Sequence, residues 1–229
     1  MSEYLVHLIP GSPFSRAALA VLEEKGAPYR VVPVASGLRS PQHLSRHPFG
    51  RVPVLEHGDF TLYETQAILR YLDRVLPEPA LTPADPRRAA RMDQAMNVND
   101  WYLFHGVANV IAFQRIVGPR LMGLTPDEAA IAAMPKARTV FDELAALLGE
   151  QRYFTGDSLT LADLLLAPQL DFMQQTPEWE ALATSHPNIR RWLARMQARP
   201  SFLATTWEKV AAKAQAATAA QATTRAASG

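Results

Sequence analysis

Residues 77–86 hold four prolines (Pro77, Pro79, Pro83, Pro86) and divide the chain into two kinds of sequence. Before them, short β-prone runs alternate with apolar residues at helical spacing. After them the β signals stop. A proline-rich run of this kind is stiff and extended, and it does not sit inside a packed element. The pattern predicts an α/β unit followed by an all-helical one, and 229 residues suffice for two modest domains.

Within the first part, residues 4–9 read as a strand, and Pro10-Gly11-Ser12-Pro13 as a turn that opens a helix over 15–25. Gly26 stands where a helix C-terminal cap belongs. A second strand is expected at 29–34 and a short helix or turn at 41–46. Strands at 52–56 and 60–63 are joined as a hairpin across His57-Gly58-Asp59. A helix over 65–76 places Ala67, Ile68, Tyr71, Leu72 and Val75 on one face. Beyond the prolines, helices are expected at 87–117, 127–148, 161–174, 188–198 and 202–214. Thr160 and Asp163 form a capping box ahead of an apolar run. From Ala211 the sequence is rich in Ala, Thr and Gln, which predicts a fraying helix and then disorder.

Composition removes several function classes. A net charge of +1 gives no electrostatic footprint for nucleic acid or an anionic membrane. No apolar run approaches the length of a membrane span. The start of the chain has no basic flank or cleavage site and reads as a strand, so the cytoplasm is the expected compartment. With no cysteine there are no disulfides, thiolate metal sites or cysteine nucleophiles. The six histidines show no metal-ligand spacing, so no metal is expected.

Three segments carry candidate chemistry. Val52-Pro53-Val54-Leu55 is an apolar β run interrupted by a residue without an N–H. Two readings stand side by side: a bulge or edge strand, or a special geometry, such as a cis peptide, whose edge meets a peptide-like ligand. Ser12 alone reads as a helix N-cap with Pro13 at the first helical position. Its functional reading is a hydroxyl that donates to a bound thiolate, beside a helix terminus that favours negative charge. Glu64 and Thr65 open a helix. They are ordinary stabilisers there, or else a pair that holds the ammonium and carboxylate of an amino acid. Arg39 and Arg51 offer charge for a second carboxylate, or are solvated.

Ser-Pro-Phe-Ser-Arg after the first strand, Glu-Glu-Lys-Gly, His-Pro-Phe-Gly-Arg-Val-Pro-Val-Leu and Tyr-Glu-Thr-Gln-Ala-Ile together resemble the cytosolic glutathione S-transferases. The similarity is to the phi class and its bacterial relatives. It covers residues 3–207 and extends through Thr160-Leu-Ala-Asp163 and the His186-Pro187-Asn188 to Trp192 segment. The resemblance implies a thioredoxin-like glutathione-binding domain (1–78, mixed four-stranded sheet), a linker (79–86), an all-helical domain (87–214) and a low-complexity tail (215–229). It implies that Ser12 stabilises the glutathione thiolate and that Val52, before a cis Pro53, pairs with the cysteinyl part. Glu64 and Thr65 hold the γ-glutamyl end, while Arg39 lies near the glycyl carboxylate. Thr65 replaces the more frequent serine, Arg51 a common glutamine and Arg39 a lysine. His47 replaces the usual asparagine, for which the sequence offers no account.

The implied reaction is conjugation of the glutathione thiolate to a small, hydrophobic electrophile, as in detoxification. Pro13, His105 and Phe113 are candidate walls of the electrophile site, ordinary packing being the other reading. A homodimer is implied as well. The alternatives are a non-catalytic binding or assembly module, or a glutathione-dependent peroxidase, dehalogenase or isomerase. Family reactions that run through a protein cysteine are excluded.

Overall fold

Strand β1 (Tyr4–Leu8) is central in the sheet, and its sequence shows why. Val6 and Leu8 are wholly buried and His7 nearly so, as befits a strand covered on both faces. The computed structural model describes residues 3–227; the ends of the chain expected in the first domain (1–2) and the tail (228–229) lie outside the described residues. β1 pairs in parallel with β2 (Tyr29–Pro33) and antiparallel with β3 (Val54–His57), which pairs antiparallel with β4 (Phe60–Tyr63). The order β2-β1-β3-β4 is a mixed, four-stranded, thioredoxin-like sheet.

A parallel pair needs a crossover, and α1 (Pro13–Glu24) supplies it. Ala17 through Leu22 are all buried. The helix closes as the sequence predicts: Gly26 at φ +61 donates to the Glu23 carbonyl (3.1 Å), and Ala27 donates to that of Leu22 (3.0 Å). That pair of bonds requires a left-handed residue, hence glycine. Lys25 Nζ lies 2.6 Å from both Asp73 Oδ1 and the Pro79 carbonyl, which ties α1 to α3 (Thr65–Val75) and to the departing chain. Between β2 and β3, α2 (Pro41–Leu44) is capped by the Ser40 hydroxyl. Strand β3 begins at Val54 and not at residue 52, because the Val52–Pro53 peptide is cis and Pro53 has no N–H for the ladder.

Residues 80–199 form a separate helical unit. Where the sequence predicts one helix over 87–117, α4 (Pro86–Val98) runs into a wider-turned stretch over 99–108. That stretch breaks at His105 (φ −70°, ψ 110°) and Gly106 (φ +81°). Short helical segments follow at Asn109–Ala112, Gly118–Met122 and Ala129–Ala132. The core is completed by α5 (Met134–Leu148), α6 (Leu161–Gln174), α7 (Glu178–Ala183) and α8 (Pro187–Gln197). Its hub is Asp163, wholly buried on α6. The carboxylate accepts from the Thr160 N–H (2.9 Å) and hydroxyl (2.8 Å), the Phe154 N–H (3.0 Å) and the Trp192 indole (2.8 Å). Burial pushes its pKa up, against the pull of these donors.

From Pro200 onward the chain clusters with the first unit, which consists of residues 1–79 and 200–229. Residues 200–214, which the sequence reading takes with the helical domain, group by contact with the first unit. The contacts give the reason. On α9 (Pro200–Ala204), the Phe202 carbonyl accepts from Arg16 Nη2 (3.3 Å), and the Phe202 ring lies 4.7 Å from that guanidinium. On α10 (Trp207–Ala227), Lys213 Nζ reaches the Tyr29 hydroxyl at 2.6 Å. The helix continues through the stretch expected to fray, in keeping with the high helix propensity of alanine.

Candidate active site

The sheet register carries the three candidate segments to one place. Val54 faces His7 on β1 and Tyr63 on β4, and His7 faces Val32. Just past this row lie the turn to Ser12, the Val52–Pro53 peptide and the Glu64–Thr65 junction, all at the same end of the sheet. Neighbouring strands are separated by about 4.8 Å, so the three junctions span roughly 10 Å.

Ser12 is the N-cap of α1. Its Oγ accepts from the Ser15 N–H (3.2 Å), and its own hydroxyl hydrogen is left to give. Accepting from the helix polarises the hydroxyl and makes it a better donor. Pro13, half-buried at the first helical position, has no N–H to compete. Ser15, the other hydroxyl of this turn, is 2% exposed with its Oγ unpartnered, so it is a buried residue and not a surface one.

Val52 takes no part in the β ladder, which begins at Val54, so its N–H and C=O stand beside the buried Pro53 as an unused strand edge. Glu64 has φ +70°, the one positive φ at a non-glycine position among the described residues. Such a backbone costs a non-glycine residue about 1–3 kcal/mol and persists where the surroundings enforce it. Its side chain is exposed and does not cap α3. Thr65 is buried at the first turn of α3, where the helix has N–H groups without helical partners.

Arg39 and Arg51 are exposed, and both adjoin Gly50, Arg39 through space and Arg51 along the chain. Gly50 has φ +61°, and a Cβ there would stand 2.7 Å from the Leu38 carbonyl and 3.3 Å from Arg39 Cδ. The loop is pinned by His43 Nε2, 2.8 Å from the Arg51 carbonyl. His47 now has a packing role. It is 2% exposed, and its ring lies 4.6 Å from that of Tyr63 and 6.1 Å from that of Phe49. Burial pushes its imidazole below the ordinary value, partly offset by the nearby Glu64 carboxylate.

His105 and Phe113 belong to the helical unit. His105 is exposed at the helix break, and its carbonyl accepts from Lys136 Nζ. Phe113 is half-buried on the next helical stretch. Sequence reasoning missed Trp207, whose indole lies against Gly11 beside Ser12. The only signal was the glycine in the turn, which says that something comes close but not what. No cluster of metal-ligating side chains occurs among the described residues, and none of their helices is long and apolar enough to cross a membrane.

A thioredoxin-like unit whose cis-proline edge faces two helix N-termini, joined to an all-helical unit, defines a class of protein. Comparison with known proteins narrows it. Residues 3–74 match the model for the glutathione S-transferase N-terminal domain, and residues 106–200 that for the C-terminal domain. The chain is 36% identical over 198 residues to glutathione S-transferase F14 of Arabidopsis thaliana, covering 82% of this chain and 77% of that one. It is 32% identical over 201 residues to glutathione S-transferase 1 of Zea mays, covering 86% and 90%. Among solved structures, glutathione S-transferase III in apo form superposes with a TM-score of 0.79 at 31% identity, over 89% of this chain and 95% of that one. Glutathione S-transferase-I bound with lactoylglutathione gives 0.78 at 29%, over 93% and 100%. The chain belongs to the cytosolic glutathione S-transferase family, with the plant phi-like members.

Proposed function

We propose that this protein transfers glutathione to small electrophiles by a serine-type mechanism. Ser12 donates its hydroxyl hydrogen to the glutathione sulfur and, with the N-terminus of α1, favours the thiolate. Each unit of thiol pKa lowering corresponds to about 1.4 kcal/mol, which one hydrogen bond and a helix terminus can supply. The thiol proton passes to solvent. The thiolate then forms the new S–C bond, and the leaving group departs with its electron pair, or the electrophile's π bond takes up the pair in an addition.

The observation that carries this reading is the common row Val32–His7–Val54–Tyr63, beyond which all three junctions stand at one sheet end. An extended tripeptide is about 10 Å long, a match to that span. In this reading Val52 pairs with the cysteinyl backbone and the α3 N-terminus with Thr65 takes the γ-glutamyl carboxylate. Glu64 takes its ammonium, and Arg39 and Arg51 attract the glycyl carboxylate. A relative bound with lactoylglutathione lends support to such an occupant. Pro13 serves as a wall for the electrophile beside Ser12, and residues 1–78 as the glutathione-binding domain.

The test is Ser12→Ala. Retention on immobilised glutathione persists, while kcat for an activated aryl chloride falls about 100-fold, the usual cost of one lost donor to a reacting anion. Turnover equal to the wild type removes Ser12 from the mechanism. Retention by wild type without turnover on several electrophile types favours the binding-module reading.

A second copy of the chain is the proposed partner. Phe49 is 61% exposed at the tip of the loop ahead of Pro53, an apolar ring that a partner surface would cover. Wild type is expected to sediment as a dimer and Phe49→Ser to shift toward monomer; a monomeric wild type overturns the assignment.

A further inference from the structure

The Ser12 turn is held from the far end of the chain. Gly11 has φ +89°, and a Cβ built there would meet Cε2, Cζ2 and Cδ2 of Trp207 at 2.6–2.8 Å. The benzo ring of the indole thus occupies the place of a side chain at position 11. Ser12 donates its N–H to the Ile9 carbonyl (3.1 Å), closing the turn that contains Gly11. On the other side of Ser12, Arg16 is held by the Phe202 ring and carbonyl. The segment after Pro200 therefore grips the chain just before and just after Ser12. Its anchorage lies elsewhere: Lys213 bonds Tyr29 (2.6 Å), lies 3.3 Å from Glu23 and sits 4.6 Å over the Tyr29 ring, and Val210 and Ala214 are buried. All of these contacts lie within one compact unit.

We propose that Trp207 is a positioning residue for the transfer reaction: by filling the space over Gly11 it fixes the turn and hence the aim of the Ser12 hydroxyl at the sulfur. The inference rests on the role proposed above for Ser12. A hydrogen bond weakens steeply as its angle closes, and a misplacement of about 1 Å in a reacting group costs roughly 100-fold. A loosened turn therefore costs thiolate before it costs binding, because the tripeptide is held mainly by Val52 and the α3 junction.

The experiment is the pH profile of kcat/KM for an activated aryl chloride, measured for wild type, Trp207→Ala, Trp207→Phe, Lys213→Met and Ser12→Ala. For Trp207→Ala the apparent thiol pKa rises by about one unit, so neutral-pH kcat/KM falls about tenfold, while the glutathione KM changes less than about threefold. Trp207→Phe restores most of the profile, and it decides the matter alone should the alanine variant not fold: a profile displaced from wild type by less than the alanine prediction but measurably so is the expected result. Lys213→Met, which loosens α10 without touching Gly11, lowers the melting temperature and leaves the profile in place. On a Ser12→Ala background, Trp207→Phe adds less than about twofold. Coincidence with wild type of the profile of every Trp207 variant that folds overturns the proposal, as does a Lys213→Met shift equal to theirs. Should Ser12→Ala be impaired and the Trp207 variants not, only the role of Trp207 falls. Should Ser12→Ala keep full turnover, the role of Ser12 falls and that of Trp207 with it.

Discussion

Glu64 is the residue where local preference and tertiary demand conflict most openly. A glutamate at φ +70° is held against its own preference, and its side chain gives nothing back to the helix it precedes. Conformational strain of this kind collects at ligand sites. Glu64→Gln keeps the backbone problem and removes the charge. We expect the glutathione KM to rise about tenfold or more while the denaturation midpoint barely moves, because a charge-assisted bond to an ammonium is worth about 1.5–3 kcal/mol. Steady-state kinetics at varied glutathione checks this; an unchanged KM separates Glu64 from the ligand. His47 shows the opposite case. Its substitution for asparagine is opaque in sequence, and the structure explains it by packing against Tyr63, which requires knowing that the loop folds back over β4.

At the scale of elements, the helices that announce themselves are those with strong end signals. Ser12-Pro13 and Gly26 delimit α1, and Thr160 with Asp163 opens α6. The second signal is larger than a cap. Asp163 also holds Phe154 and the Trp192 indole, so it joins α6, α8 and the preceding loop. Asp163→Ala strands four buried donors, and we expect a loss of about 3–5 kcal/mol in equilibrium unfolding. A loss below about 1 kcal/mol would mean that water replaces the carboxylate. The end of α10 is a contrasting element. Residues 215–220 are exposed or half-buried, so removal of 215–229 should change stability by less than about 0.5 kcal/mol by chemical denaturation. The break at His105–Gly106 was invisible to periodicity, because the apolar spacing continues across it and Gly106 is the only local hint.

At the scale of the whole molecule, two buried histidines, His7 and His47, contribute to the acid response. Burial lowers the His7 pKa from 6.5, offset in part by Glu56, 3.1 Å from its Nε2. Burial lowers that of His47 as well. Glu56 is lowered from 4.5, the pull of Arg46 and His7 outweighing its burial. A group with a lowered folded pKa binds fewer protons folded than unfolded. Its contribution is therefore complete above the unfolded value and is lost as pH falls through the folded one. Stability should decline as pH drops below about 6.5 for the histidines, and further below about 4.5 for Glu56. Denaturant midpoints measured from pH 7.5 to 4 check the sign, and His47→Asn should flatten the upper part of the decline.

The alternation of short β runs with helices, the proline-rich divide and the turn chemistry were enough to place an α/β unit ahead of a helical one and to single out Ser12, Pro53, Glu64 and Thr65. These are local properties: a cap, a missing N–H and an apolar period act over a few residues, and sequence records them directly. Sequence did not reveal that the segment after Pro200 returns to the first unit, nor that an indole stands over Gly11, nor that Glu64 takes a backbone foreign to it. Those facts depend on which distant surfaces meet. The meeting is decided by the packing of the whole core, whose contacts carry no signature at either of the two positions taken alone.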